Sequence, residues 1–214
     1  MARWLRGLVQ ALMILAVVVA AAPLASAAED ATALIGRVEA KYKTVQTIKA
    51  KVVQTTVNAL GSETVAGELL LQRPAKMRWS FGDKLFVTNG EKMWIYTKED
   101  NQVIEYDDIS SSKSTADSLL SSLDKLQAMF EVKVMSSTAA GHQLELKPKE
   151  SAGFKKVQLF LDAELMIVSV VIVDAFDNVT NLAFMNVQLN APVDKGSFEF
   201  AVPAGATVVK ATTN

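Results

Sequence analysis

Residues 65–81 read Val65-Ala66-Gly67-Glu68-Leu69-Leu70-Leu71-Gln72-Arg73-Pro74-Ala75-Lys76-Met77-Arg78-Trp79-Ser80-Phe81. Val65, Gly67, Leu69 and Leu71 alternate with Ala66, Glu68, Leu70 and Gln72. Beyond Arg73-Pro74-Ala75, Met77, Trp79 and Phe81 alternate with Lys76, Arg78 and Ser80. A period of two sends successive side chains to opposite faces of a pleated strand, so both runs predict β structure.

Towards the N-terminus the period changes. Leu34, Ile35, Val38, Tyr42 and Val45 recur at helical spacing, with Asp30 or Thr32 as N-cap, and predict an amphipathic helix over 31–46. Towards the C-terminus, Asn89-Gly90 between apolar runs at 85–88 and 93–96 predicts a hairpin. A short strand at 102–106 ends at Asp107-Asp108. Residues 109–118 are serine-rich, after which Leu119, Leu120, Leu123, Leu126 and Phe130 return to helical spacing. Strands resume near Val132 and pass through 142–147, 157–161 and 166–174. The Asp177-Asn178 turn leads into 179–188, and Phe198 and Phe200 mark a last short strand. No repeat or linker divides the chain, which predicts one domain of about ten mostly antiparallel strands with two helical segments.

Several strands are apolar on both faces. In 166–172 one face carries Met166, Val168, Val170 and Ile172, the other Ile167, Ser169 and Val171; Leu69 with Leu70, Phe86 with Val87 and Trp94 with Ile95 repeat this. A sheet wetted on one side alternates cleanly. The second side is therefore covered, by helices or by a ligand. A curved sheet with helices over its concave face either leaves an apolar space beneath them or is filled by side chains, and the pattern alone allows both.

Arg3 and Arg6 precede an apolar run from Leu8 to Ala22, then Pro23 and the small-x-small sequence Ala25-Ser26-Ala27. This predicts a Sec-type signal peptide over 1–27, cleaved on export, and a single domain over 28–214. The apolar run is about 15 residues, short of the roughly 20 needed to span a bilayer. There is no cysteine, so neither disulfides nor an N-terminal lipidated cysteine is available. Loss of two arginines takes 22 basic and 23 acidic residues to a net charge of −3 in the mature chain, which predicts no nucleic-acid or polybasic membrane partner.

Catalytic groups are sparse. His142 is the sole histidine, read as a solvated or turn-edge residue, and no Gly-x-Ser-x-Gly elbow, zinc-ligand set, phosphate loop or dinucleotide fingerprint is present. The carboxylate pairs Asp107–Asp108, Asp162–Glu164 and Asp174–Asp177 all sit in predicted turns, where aspartate serves backbone geometry. Binding without a metal or cofactor is expected, not catalysis.

Gly67 through Trp79 also resembles the glycine-strand-Arg-Pro-x-x-aromatic-x-Trp segment of the periplasmic outer-membrane lipoprotein carriers of LolA type. Val87-Thr88-Asn89-Gly90 and Trp94-Ile95-Tyr96 are similar to that family's hairpin and Trp-x-Tyr strand. Asp174 through Thr180, Phe184-x-Asn186, Asn190, Phe198-Glu199-Phe200 and Pro203-x-Gly205 extend the likeness through the C-terminal third. The resemblance implies an incomplete antiparallel β-barrel of about ten or eleven strands, closed by a helical lid over an apolar cavity. It implies a monomeric periplasmic chaperone that takes acylated lipoproteins from an inner-membrane ABC transporter and passes them to an outer-membrane acceptor. Arg73 matches the arginine that latches the family's lid. Leu69, Leu71, Met77, Trp79, Met93, Trp94, Leu119, Leu120, Leu123 and Met129 become the candidates for the cavity or its mouth. Met135, Met166 and Met185 join the pliable residues suited to loose apolar binding.

Two departures touch the lid and the C-terminus. Asp117-Ser118 precede Leu119-Leu120 where the family often has proline, and Val202 replaces the first of a frequent Pro-Pro. The same fold serves acceptor lipoproteins and two-domain stress sensors; the missing cysteine and the single-domain length argue against these. A carrier of another lipid, such as a glycolipid or fatty acid, a carboxylate-based hydrolase using Asp174 or Asp177, and a scaffold with a filled core remain as alternatives.

Overall fold

The computed structural model describes residues 31–107, 122–150 and 152–211. Helix α1 (Ala31–Lys43) buries Leu34, Ile35, Val38 and Tyr42, the stripe expected from their spacing. It ends before residue 46: the Val45 amide donates to Tyr42 O at 3.2 Å, and Val45 packs into the core from the connection.

Six strands follow: β1 (Thr47–Asn58), β2 (Gly61–Gln72), β3 (Lys76–Phe81), β4 (Lys84–Asn89), β5 (Met93–Thr97) and β6 (Gln102–Tyr106). After the one-turn helix α2 (Leu126–Met129) come β7 (Phe130–Thr138), β8 (Gly141–Pro148), β9 (Phe154–Asp162), β10 (Ile167–Asp174) and β11 (Val179–Leu189). β12 (Thr207–Ala211) is last.

All twelve belong to one sheet, ordered β12-β6-β5-β4-β3-β2-β1-β11-β10-β9-β8-β7. Two antiparallel meanders, β1–β6 and β7–β11, join where β1 pairs with β11, and β12 runs parallel to β6. Laid flat, the seven spacings from β3 to β7 would cover about 34 Å. One core cluster nevertheless runs from Met77 and Trp79 on β3, through the α1 stripe, to Leu144, Leu159 and Phe130 at the other side. The sheet curls around α1 as an incomplete antiparallel β-barrel, with β7 and β12 as its two edges among the described residues.

Strand β1 escapes the sequence pattern because its outer half, Gln54-Thr55-Thr56-Val57-Asn58, is neutral and polar. Residues 198–200 form no strand. Phe198 is buried, while Phe200 stacks on Trp94 with ring centroids 5.7 Å apart and lies 6.3 Å from Tyr96. With Val87, Val103, Leu85 and Ala206 these rings form a second cluster on the outer face.

That cluster accounts for the apolar outer sides of β4 and β5: the C-terminal segment covers them. Strand β10 is two-faced for another reason. Register shifts between Ile167 and Ser169, so Ile167 joins Val170 and Ile172 in the core while Val168 is 44% exposed. The helical spacing after the serine-rich segment also resolves differently. Phe130 opens β7, Leu123 lies in a turn, and Leu119 and Leu120 fall outside the described residues.

Candidate functional site

At the end of the barrel where β1 begins and β2 ends lies a cavity of about 430 Å³. Its floor is one rung of the sheet. Ile48 pairs with Leu71, Leu71 with Met77, Met77 with Thr88 and Thr88 with Met93, so five side chains from β1 to β5 share one face at one level. The polar member is satisfied locally: Thr88 Oγ1 lies 3.4 Å from Ala75 O and accepts from the Gly90 amide at 3.2 Å. Val45 and Met129 add apolar walls.

The rim is polar. Arg73, Pro74 and Ala75 form the turn from β2 to β3, anchored by the Arg73 amide donating to Gln46 O at 2.9 Å. Across the opening, Arg73 Nη2 donates to Asp124 Oδ1 at 2.9 Å, with the two side chains 28% and 14% exposed. Ser122 and Lys125 complete that side. This roof is tied to α1, whose Glu39 carboxylate accepts from the Gln127 amide at 2.7 Å and from Gln127 Nε2 at 3.1 Å. Lys149 Nζ donates to Gln127 O at 2.7 Å from the other side. An apolar floor under a charged rim suits a ligand with a hydrocarbon body and a polar head.

Of the expected site residues, Arg73, Leu71, Met77, Met93 and Met129 line this cavity together. Leu69, Trp79 and Leu123 are 1%, 5% and 0% exposed and belong to the core beside it. Trp94 is elsewhere. It shares a side with Val87 and Glu105, donates to Glu105 Oε2 at 3.2 Å and packs under Phe200 on the outer face. Alternation fixes this: Met93 points inward, so its neighbour points outward. Met135 and Met185 are each 46% exposed and lie away from the cavity. Sequence reasoning missed Ile48, hidden in the unread strand, and Asp124, whose only signal is its place between Leu123 and Leu126.

Four of the six carboxylates read as catalytic alternatives, Asp107, Asp162, Asp174 and Asp177, have local work, and Asp108 lies outside the described residues. Asp174 closes its own turn, accepting from the Phe176 and Asn178 amides at 2.8 and 2.9 Å and from Asn178 Nδ2 at 2.7 Å. Those bonds, Asn178 foremost, hold its carboxyl below the usual range. Asp177 pairs with Lys155 at 2.7 Å, and Asp162 accepts from the Met166 amide at 2.7 Å. Asp107 is held low by Lys92, 2.7 Å away. His142 is at a turn edge as expected but not solvated: it is 8% exposed, with Nδ1 2.9 Å from Ser137 Oγ.

A family model described as outer membrane lipoprotein carrier protein LolA matches residues 43–201. A protein of Methylobacillus flagellatus named outer-membrane lipoprotein carrier protein is 32% identical over 178 residues, covering 80% of this chain and 86% of its own. One of the same name from Dechloromonas aromatica is 29% identical over 174 residues, covering 78% and 83%. Among solved structures, an uncharacterized conserved protein from Thermus thermophilus shares the fold with a TM-score of 0.54 at 15% identity, over 85% of this chain and 100% of that one. The match runs from the end of α1, through both meanders, to the segment that covers the outer face, and on that extent the chain belongs to the LolA family of outer membrane lipoprotein carrier proteins.

Proposed function

We propose that this protein is a periplasmic chaperone that accepts acylated lipoproteins from an inner-membrane ABC transporter, shields their acyl chains and delivers them to an outer-membrane acceptor. It acts as a monomer and without catalysis. Residues 1–27 direct export and are removed, leaving 28–214 as the carrier domain. The observation that carries this reading is the apolar rung from Ile48 to Met93 beneath the Arg73–Asp124 pair.

Physical chemistry requires such a device. Each methylene removed from water contributes about 0.8 kcal/mol, so acyl chains do not cross an aqueous compartment bare. A methylene is close in size to a water molecule, whose share of liquid volume is about 30 Å³, so the cavity takes on the order of fourteen methylenes. That is about one acyl chain. A multiply acylated cargo needs more apolar room than this, which displacement of the roof at Ser122–Met129 would supply, and the Arg73–Asp124 pair is placed to oppose that displacement.

The test is release of labelled lipoprotein from spheroplasts of the native host by the exported protein. A soluble one-to-one complex is expected. No complex, with the transporter shown active, would overturn lipoprotein transport. Mass spectrometry of co-purified lipid would then show whether a single-chain lipid or glycolipid fills the cavity instead.

A further inference from the structure

The two most exposed large hydrophobic residues among those described are Leu60, at 98%, and Phe176, at 86%; the next is at 46%. Leu60 tips the β1–β2 hairpin and Phe176 tips the β10–β11 hairpin. The hairpins are neighbours, because β1 pairs with β11 out to Val57 opposite Val179 and with β2 out to Asn58 opposite Gly61. β3 stops at Phe81, opposite Gly67, so residues 61–66 of β2 project beyond it.

Both tips are built alike. The Leu60 amide donates to Asn58 Oδ1 and the Phe176 amide to Asp174 Oδ1, each at 2.8 Å. A side chain two residues earlier thus closes each turn and leaves the apolar residue pointing out.

The strands behind the tips are nearly free of charge. No charged residue occurs between Lys51 and Glu63, nor from Asn178 to Val193. Beside Phe176, Asp177 is neutralised by Lys155 and Asp174 is held within its turn. Two apolar side chains stand out separately at this end, where the nearby charges are Glu63, the Lys155–Asp177 pair and the turn-bound Asp174. They suit a soft phase that closes around each side chain separately.

We infer that Leu60 and Phe176 enter the interfacial layer of a phospholipid bilayer side by side, so that this end of the barrel touches membranes. The contact is apolar and needs no anionic lipid, since Lys155 and Lys156 on the adjoining β9 are paired with Asp177 and Glu145. The cavity opens at the other end of β1, a strand of twelve residues, so its mouth lies away from the tips. The tips hold the protein at a membrane while its mouth faces the aqueous side. This inference is independent of what the cavity carries.

The test is flotation of the exported protein, as recovered from the periplasm, with vesicles of phosphatidylcholine alone and of phosphatidylethanolamine with phosphatidylglycerol. The protein should float with both. Leu60→Ser/Phe176→Ser should lower the partition coefficient roughly tenfold or more, with an unchanged melting curve. Should that variant misfold, Phe176→Trp gives a second readout: its added emission should shift to the blue and be quenched by brominated lipid. No flotation of the parent protein, flotation only with anionic vesicles, or added emission that brominated lipid leaves unquenched would each overturn the inference. So would self-association of the parent that the serine variant abolishes, because the tips would then be covered by a second copy.

Discussion

The Arg73 guanidinium donates to the Asp124 carboxylate at 2.9 Å, bridging the turn after β2 and the segment that roofs the cavity. The chain positions are 51 residues apart, and both residues line the rim of the cavity. An interaction made only in the closed form opposes the loaded form, so it favours release. Arg73→Leu should therefore fold and take up lipid but hand it on slowly. A partly shielded pair contributes about 1 kcal/mol, equivalent to roughly fivefold in the transfer equilibrium. Asp124→Asn should act in the same direction, and the double variant should lose less than the sum of the two, because both remove the same interaction. Transfer kinetics with a labelled lipoprotein check this; unchanged rates in both variants would remove the latch.

The two faces of the sheet, represented by Leu71 on β2 and Trp94 on β5, separate binding from stability. Leu71→Glu places a charge on the cavity floor and should abolish uptake of a fluorescent fatty-acyl probe while shifting the melting temperature by only a few degrees. Trp94→Ala empties the outer cluster under Phe200 and should cost about 3 kcal/mol of stability, leaving uptake per folded molecule intact. Loss of uptake in the Trp94 variant at full folding would show that Trp94 serves the cavity after all.

The contrast between Leu71 and Trp94 also shows what could be read before the fold. Alternation gave the strands and the apolar rung, because Leu71, Met77 and Met93 each stand in a clear period-two run. It identified two-faced strands but not what covered each face. Trp94 and Val87 are apolar because a segment more than a hundred residues later lies over them, and local periodicity carries no trace of such a contact. Strand β1 failed for a related reason: it is central to the sheet, yet its outer half carries few apolar residues, and the apolar Val45 in the connection before it falls at helical spacing from α1. The bulge at Ile167 exchanged the faces of β10, which a fixed period of two misreads. Arg73 was legible through resemblance alone, and its partner Asp124 not at all.

Gly67 tests how closely β2 and β3 are packed. A Cβ there would overlap the Ser80 carbonyl on β3, a backbone atom that cannot swing aside. Gly67→Ala should destabilise the protein by about 1–3 kcal/mol, read as a lower denaturant midpoint. An unchanged midpoint would mean that the two strands separate freely at this level.

Tyr42 links α1 to the barrel wall and gives the protein an alkaline limit. It is 0% exposed, and its hydroxyl oxygen accepts from the Ile167 amide at 3.0 Å, at the bulge where β10 shifts register against β9. Burial, aided by the charge of Asp162 and opposed by the Ile167 bond, pushes its pKa from 10.0 up to about 12. The folded state thus disfavours the phenolate relative to the unfolded state. The corresponding stability is fully present below pH 10.0 and is lost as pH rises towards 12. A shift of that size corresponds to about 3 kcal/mol. Melting temperatures should hold level from neutral pH to the onset of this window and fall steeply within it. Tyr42→Phe has no phenol to ionise, so its alkaline fall should be shallower. At neutral pH it should be less stable by about 1–3 kcal/mol, because the Ile167 amide loses its partner. Melts of both proteins across the window decide it. Parallel curves would place the alkaline transition at another group and leave Tyr42 as packing alone.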